Sequence, residues 1–452
     1  MPRLLRQLSS PNTLELSLRP RRRVIVFLMA VGLPALMMAA ATIRIALAAT
    51  LGESLQLPEL HEALALDPSN PELYHQLGLA YVSSVEKLNE TEAVRHFRKA
   101  TELNPQVEVY WSDLASACEL AGDNVCADQA FERALKLNPM TPDVHWITAN
   151  HYLRTSRANE AFPHFRRLLE IGPEYAVSTF QVCLRTLHDP EVIFQEVLAT
   201  CQDSKPKLAY IDFLSAQGDL EFAYKVWKQV ASSSYVFSLS LVKPYLERLI
   251  DLGRTPEAVS VWQDLEHLGI VRMSTTENHG NLLFDGGFEQ PPLNAGFDWR
   301  YRALPYLSLD FSNILPYQNQ GCLSLDFTVK QNDEYEPLYQ IVPVGASNHY
   351  LLTAYARSEA ITSDSGPRLR VVDPACPTCL DARSEVTVGT TCWHPFSLEF
   401  MTGAKTQFIR VSVWRERSRT FPSEITGRFW LDEVSLTALS PIDPKSLSGS
   451  IP

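Results

Sequence analysis

The 452 residues contain no nucleophile elbow, no phosphate-binding glycine loop and no His-Glu-x-x-His motif. Absent with them are the exposed serine of a strand-to-helix turn, the backbone cradle for a nucleotide phosphate and the paired imidazoles of a zinc protease. Basic charge is also scarce: 40 Lys and Arg stand against 52 Asp and Glu, a net of -12. The basic surplus is confined to residues 1 to 23, with six Arg and one Glu, which leaves the remainder at about -17. Such an acidic body argues against nucleic acid as a partner, whose phosphates require a basic surface. Carboxylates are plentiful, but a glycosidase pair is a separation across a substrate and cannot be read from sequence. No enzyme is expected.

Long apolar runs are few, and one stands out. Val24 to Ile43 is 20 residues without a charge. At about 1.5 Å per residue it matches a hydrocarbon core about 30 Å thick. Pro34 within it is tolerable where neighbouring groups re-satisfy the backbone. Arg21, Arg22 and Arg23 precede it, so the positive-inside bias keeps residues 1–23 cytoplasmic and exports the rest. A cleaved signal peptide is the competing reading, since Ala46-Leu47-Ala48 has the look of a processing site; the apolar run is long for a signal. A core helix of a soluble protein would not need the arginines. The first reading is a single-pass inner-membrane anchor with the body in the periplasm or cell exterior.

Pro105, Pro139 and Pro173 lie 34 residues apart. Before Pro139 stand Trp111, Leu114, Ala115, Gly122, Ala127, Phe131 and Ala134; before Pro173 stand Ala149, Tyr152, Ala161 and Phe165. Before Pro105 come Tyr74, Leu77, Gly78, Tyr81, Ala93, Phe97 and Ala100, with three extra residues near Lys87. In these residues the chain resembles the tetratricopeptide repeat family over roughly its middle half. The resemblance implies helical hairpins whose small residues let paired helices touch, stacked around a continuous core with a concave surface for a protein partner. Residues 44–57 are a connector and residues 58–68 a capping half-repeat. The register weakens between Glu174 and Pro206 and returns in Gly218, Ala223 and Trp227, then in Gly253, Ala258 and Trp262. The expected array is five to six hairpins over residues 58–268, followed by a linker, 269–280.

After Asn281 the period becomes two. Leu323, Leu325, Phe327 and Val329 alternate with polar residues, as do Ile409, Val411 and Val413; Phe429, Leu431, Val434 and Leu436 do so with an irregularity near Asp432. About ten such strands over residues 281–439 imply a β-sandwich, with a disordered tail at 440–452. The segments NLLFDGGFEQPP, GFDWRY, YQIVPVGASNHYLLTAYARSE and GRFWLDEVSL resemble, in that order, the jelly-roll, galactose-binding-like carbohydrate-binding modules. In that family a structural calcium often joins the first and last strands through an acidic side chain from each. Glu289 and Asp432 hold the corresponding places, and hard carboxylate oxygens suit calcium. No cofactor is required otherwise. The plain alternative has Asp432 capping a turn and Glu289 solvated.

Alternation also proposes a ligand face bearing Gln340, Tyr355, Arg357, Arg370, Arg410 and Trp414. An outward Trp beside several Arg suggests a ligand such as an anionic glycan. Two other readings stay open: the arginines cover Trp414 by cation-π contact, or the face docks on the repeats.

Eight cysteines in an exported chain permit disulfides. Cys118 and Cys126 flank the turn at Gly122 equally and should face one another; Cys183 and Cys201 do not match across their turn. Cys376, Cys379, Cys392 and His394 have the residue types of a Cys3His zinc site but lack its second Cys-x-x-Cys, so a disulfide among the three cysteines is expected. The whole describes a multidomain chain: a transmembrane helix, an all-α tetratricopeptide solenoid and an all-β jelly-roll sandwich. The function expected of it is a membrane scaffold holding a protein on its repeats and a glycan or second protein on its jelly roll, accessory to exopolysaccharide or envelope polysaccharide synthesis or export. The alternative is a polysaccharide or cell-wall hydrolase.

Overall fold

The computed structural model describes residues 25–54, 56–83, 89–233, 235–272, 280–311, 316–318, 321–421 and 423–439. The basic segment 1–23, the turn at Lys87, most of the 269–280 linker and the tail 440–452 lie outside the described residues. The chain divides into two compact units, residues 1–172 and 173–452.

The first unit opens with α1, Ile25–Gly52, 28 residues with Arg44 as the one charge, long and apolar enough to cross a membrane. Its turn Leu28–Gly32 is wound in the wider π form just before Pro34. A proline has no N–H to give and its ring crowds the preceding turn, and a wider turn relieves both. After α2, Leu57–Leu66, come three hairpins. They are α3 Pro71–Ser83 with α4 Glu90–Leu103, α5 Glu108–Leu120 with α6 Asn124–Leu137, and α7 Pro142–Arg154 with α8 Ala158–Ile171. The second and third begin and end 34 residues apart, which is the helical repeat that the proline ladder implied.

Each hairpin is built by the same chemistry. Asn89 and Asp123 accept from the third amide of the helix that follows, satisfying one of its orphan N–H groups. Gly122 turns with φ 77°, a conformation that costs a side chain with a Cβ. Gly78 is small for a packing reason: a Cβ there would sit 2.6 Å from the Phe97 ring. Phe131, Ala115, Ala127 and Ala134 are buried in one cluster, and Cys118 is joined to Cys126 across the turn.

The second unit starts less regularly. A short 3-10 turn, Pro173–Tyr175, leads to α9 Ala176–Leu187 and to α10 Pro190–Ile193, which runs into a π turn at Phe194–Leu198. Paired helices return as α11 Lys205–Gln217 with α12 Leu220–Ala231 and α13 Leu239–Asp251 with α14 Thr255–His267. Cys183 and Cys201 are buried and not joined; the Cys201 thiol donates to the Val197 carbonyl at 3.4 Å.

Among the described residues ten strands follow, in two antiparallel sheets. They are β1 Arg300–Tyr301, β2 Leu307–Asp310, β3 Leu323–Gln331, β4 Tyr335–Pro343, β5 His349–Ile361, β6 Arg368–Val372, β7 Asp381–Arg383, β8 Gly389–Met401, β9 Phe408–Arg415 and β10 Ile425–Ala438. One sheet has the order β1-β4-β9-β6-β7 and the other β2-β3-β10-β5-β8. Alternate residues of both enter one core, with Leu338, Leu369, Val411 and Val413 from the first and Leu325, Leu352, Ala354 and Leu431 from the second. The irregularity near Asp432 is a register shift in β10 between Asp432 and Ser435, with Glu433 at φ 51°.

The last hairpin and the sheets pack directly. Trp262 of α14 meets the rings of Phe284 and Phe297 edge-on, and Gly296 lies so close that a Cβ would fall 2.2 Å from the Trp262 ring. Glu247 of α13 accepts from the Gly296 amide and pairs with Arg300 at 2.7 Å. These contacts place the final helices in the same compact unit as the sheets.

Candidate functional site

A cleft of about 740 Å3 lies between α13 and the outer face of the first sheet. Strand register explains how that face is composed. Arg300 of β1 pairs with Tyr339 of β4, Tyr339 with Ser412 of β9, and Trp414 of β9 with Arg368 of β6. Since Leu338, Leu369, Val411 and Val413 point into the core, Tyr339, Arg368, Arg370, Arg410 and Trp414 point away from it. Helix α13 adds Lys243 and Glu247, the segments flanking β1 and β4 add Arg302, Tyr306 and Glu334, and β4 itself adds Glu336.

Most charges here are already paired. Glu247 holds Arg300, Glu336 holds Arg410 at 3.3 Å, and Asp381 binds Arg370 through both oxygens at 2.7 and 3.0 Å. The Arg370 and Arg383 guanidiniums hold the Asp381 carboxyl well below the usual carboxylate range. Trp414 donates its indole N–H to Glu334 at 3.0 Å, and Arg368, Arg370 and Arg383 stand over its ring at 5.4, 4.7 and 4.5 Å. It is only 3% exposed, so its ring faces are covered by cations.

The six residues expected to share one ligand face are divided by the structure. Arg370, Arg410 and Trp414 come together on the first sheet. Tyr355 and Arg357 lie on β5 in the other sheet, where Tyr355 stacks on Tyr317 at 3.8 Å and Arg357 covers Trp430 at 5.2 Å. Gln340 has the parity of Leu338 and Val342 and is 0% exposed. Its amide accepts from the Phe284 N–H at 2.9 Å and donates to the Phe284 carbonyl at 2.8 Å, pairing with the segment ahead of β1 as a backbone group would. An inward polar residue breaks the pattern by which alternation assigns faces. Lys243, Arg302, Tyr306 and Tyr339 also line the cleft, and nothing in the sequence marks them, because helix and strand contributions so far apart share no local signal.

Asp432 is fully buried. Its Oδ2 accepts from the Tyr317 and Gln318 amides at 2.8 and 3.3 Å, and its Oδ1 from that of Glu433 at 2.7 Å. Glu289 keeps company instead with Asp285, which accepts from the Glu289 and Gln290 amides. Among the described residues no three His, Cys, Asp or Glu side chains are grouped to hold a metal. Acceptors turned onto amides do not supply the six to eight oxygens of a calcium shell, so these two residues do not fit that ion as they stand. Cys376 and Cys379 are joined to each other, Cys392 is exposed, and His394 Nδ1 lies 3.0 Å from the Cys392 carbonyl.

Burial moves acids and bases in opposite senses, and the two units differ in which they bury. In the sheets, burial and then the hydrogen bond with Glu289 push Asp285 up to about 8, and burial pushes Asp298 and Asp432 up to about 6. In the repeats, burial drives His96 and His164 down to about 4, with Arg95 adding to the effect on His96 and His145 to that on His164. From pH 7.5 to 5 the folded sheets keep protons that unfolded carboxyls would release, so acidification stabilises them. Over the same window the unfolded histidines, near 6.5, take up protons that the folded ones refuse, and the repeats lose stability. Two calorimetric transitions should therefore shift apart in opposite directions across this range; movement in a common direction would contradict the assignment.

No protein-family model matches the chain, and no curated protein matches it. Among solved structures the chain is similar to "MamA AMB-1 C2221", at 33% identity over 25% of this chain and 65% of that one, with a TM-score of 0.23. It is similar to "MamA MSR-1 C2" at 29% identity over 29% and 74%, TM-score 0.24, and to "Human IFIT1 dimer with PPP-AAAA" at 22% identity over 41% and 45%, TM-score 0.28. The chain thus spans about 65% of the length of the first of them. The helical repeat rests on this chain's own hairpin lengths and 34-residue spacing.

Proposed function

We propose that the protein is a non-enzymatic scaffold tethered at a bacterial inner membrane, with its body in the periplasm or cell exterior, accessory to exopolysaccharide or envelope polysaccharide synthesis or export. The tetratricopeptide hairpins hold a protein partner, and the sheets, read as a jelly-roll carbohydrate-binding module, hold a glycan on the face of Arg370, Arg410 and Trp414. The observation that carries the scaffold reading is a segregation of charge. The first helices α3, α5 and α7 bear Glu72, Glu108, Asp113, Glu119 and Asp143 against one base, Arg154, while the second helices α4, α6 and α8 are balanced. Those first helices are joined to one another by Tyr110 donating to Glu72 at 2.7 Å, His75 with Asp113 at 2.6 Å and Arg154 with Glu119 at 2.7 Å. Glu108 is raised by burial and by Asp113 and Asp143, as expected of carboxyls gathered on one side. A side of this kind suits a partner with basic residues.

Protease added to spheroplasts should digest the body and leave intact cells untouched, and alkaline carbonate should leave the chain in the membrane pellet. Cross-linking in those membranes should capture polysaccharide-assembly proteins with wild type and lose them with Glu108→Lys and Asp143→Lys together. Release by carbonate removes the tether; capture that ignores the charge reversal removes this partner surface.

A further inference from the structure

Two cations in the cleft have no carboxylate partner among the described residues. Lys243 donates to the Asn294 carbonyl at 2.6 Å, a neutral acceptor, and Arg302 is exposed with no side-chain partner. Every other base lining the cleft is held by an acid: Arg300 by Glu247 and Arg370 by Asp381. Of the lining acids, Glu247 and Glu336 are paired with arginines, and Glu334 accepts from the neutral Trp414 indole. The cleft therefore carries a positive surplus inside a chain whose net charge is -12. Beside these cations stand Tyr301, Tyr306 and Tyr339, flat apolar surfaces with polar tips, while Tyr335 is buried in the core of the sheets. At about 740 Å3 the space takes a ligand of several rings.

Resting on the reading of the sheets as a glycan-binding domain, we propose that the cleft binds a carboxylated oligosaccharide, a chain containing uronic acid. Arg302 and Lys243 receive its carboxylate, and the tyrosine rings receive its sugar faces. A neutral sugar would leave both cations uncompensated, and a purely apolar ligand would strand the polar wall. Since Lys243 comes from α13, the specificity is composite: the last helical hairpin supplies one of the two charges that select the ligand, and the sheets supply the other. The contacts of Glu247 with Arg300 and of Trp262 beside Gly296 fix the helix where Lys243 can act.

The test uses the full chain in detergent with polygalacturonate, its carboxyl-reduced form and poly-glutamate, read by calorimetry. Polygalacturonate should bind at least about tenfold more tightly than the carboxyl-reduced polymer, with affinity falling as salt rises. Arg302→Gln and Lys243→Ala should each weaken polygalacturonate about tenfold and leave the reduced polymer unchanged; a loss of tenfold is about 1.4 kcal/mol. Arg302 makes no side-chain contact that folding needs, so its variant keeps the test open if Lys243→Ala disturbs the junction. Lys225→Ala, an exposed charge on α12 paired with Glu221, is the control and should bind as wild type. Equal affinity for the native and reduced polymers overturns the carboxylate assignment while leaving glycan binding intact. Tight binding of poly-glutamate that depends on Arg302 makes the site one for acidic peptide. No binding to either sugar polymer removes the glycan-binding reading itself.

Discussion

Replacing Phe131 by alanine is expected to cost the first unit about 3–5 kcal/mol, because the ring is fully buried and the cavity left behind cannot collapse between paired helices. Phe131 belongs to one cluster with Ala115, Ala127, Ala134, Leu114 and Val144, so it touches both helices of its own hairpin and the start of the next. Its ring also lies 5.4 Å from that of His151 on α7. Loss of this ring should uncouple neighbouring hairpins as well as loosen one. In two-transition thermal unfolding the change should fall on the transition of residues 1–172 and spare that of the sheets. Phe131→Leu, which keeps most of the volume, should cost roughly a third as much. A loss under about 1 kcal/mol for the alanine variant would mean that the repeats can close around the cavity.

Arg415→Ala should destabilise the sheet region by about 4 kcal/mol. Arg415 ends β9, is 0% exposed and carries a guanidinium that serves three loops at once. It donates to the carbonyls of Ser365, Asp333 and Ser423 at 2.8, 2.7 and 3.1 Å, and to Asn332 Oδ1 and Ser363 Oγ at 3.3 Å. Removing it strands several buried acceptors, each costing about 1–3 kcal/mol if left unmet, with partial relief as water enters. Arg415→Lys should recover less than half of the loss, since a single ammonium cannot span the acceptors that a planar fork reaches. Asp333 adjoins Glu334 and Tyr335 in the cleft wall, so the variant should also weaken any ligand bound there. A fully stable Arg415→Lys protein would show that the charge matters and the fork does not.

The repeats were legible because their period is written in residue types that have mechanical jobs. Proline stops the second helix, glycine opens the turn, alanine allows close approach, and each recurs at a fixed interval. Equal distances of Cys118 and Cys126 from Gly122 were enough to pair them. The period-two strands were legible for a similar reason, and even the break near Asp432 marked the bulge in β10. Alternation, however, reports only in or out, never which sheet. Tyr355 and Arg370 both point away from the core, yet they do so on opposite sides of the domain. Gln340 breaks alternation in a second way: its polar side chain reads as outward, yet a backbone segment 56 residues earlier satisfies it inside.

Sequence by itself determined the order of parts: an apolar helix near residue 25, hairpins on a 34-residue interval, then strands with alternating faces. Each depends on neighbours within a few turns or one strand, and local periodicity carries that information. Tertiary structure alone decided which charges meet. The pairing of Glu247 with Arg300, the covering of Trp414 by three arginines and the surplus left by Lys243 and Arg302 all join residues far apart in the chain. Electrostatic attraction acts through space, and only the folded register of two sheets against a helix sets those distances.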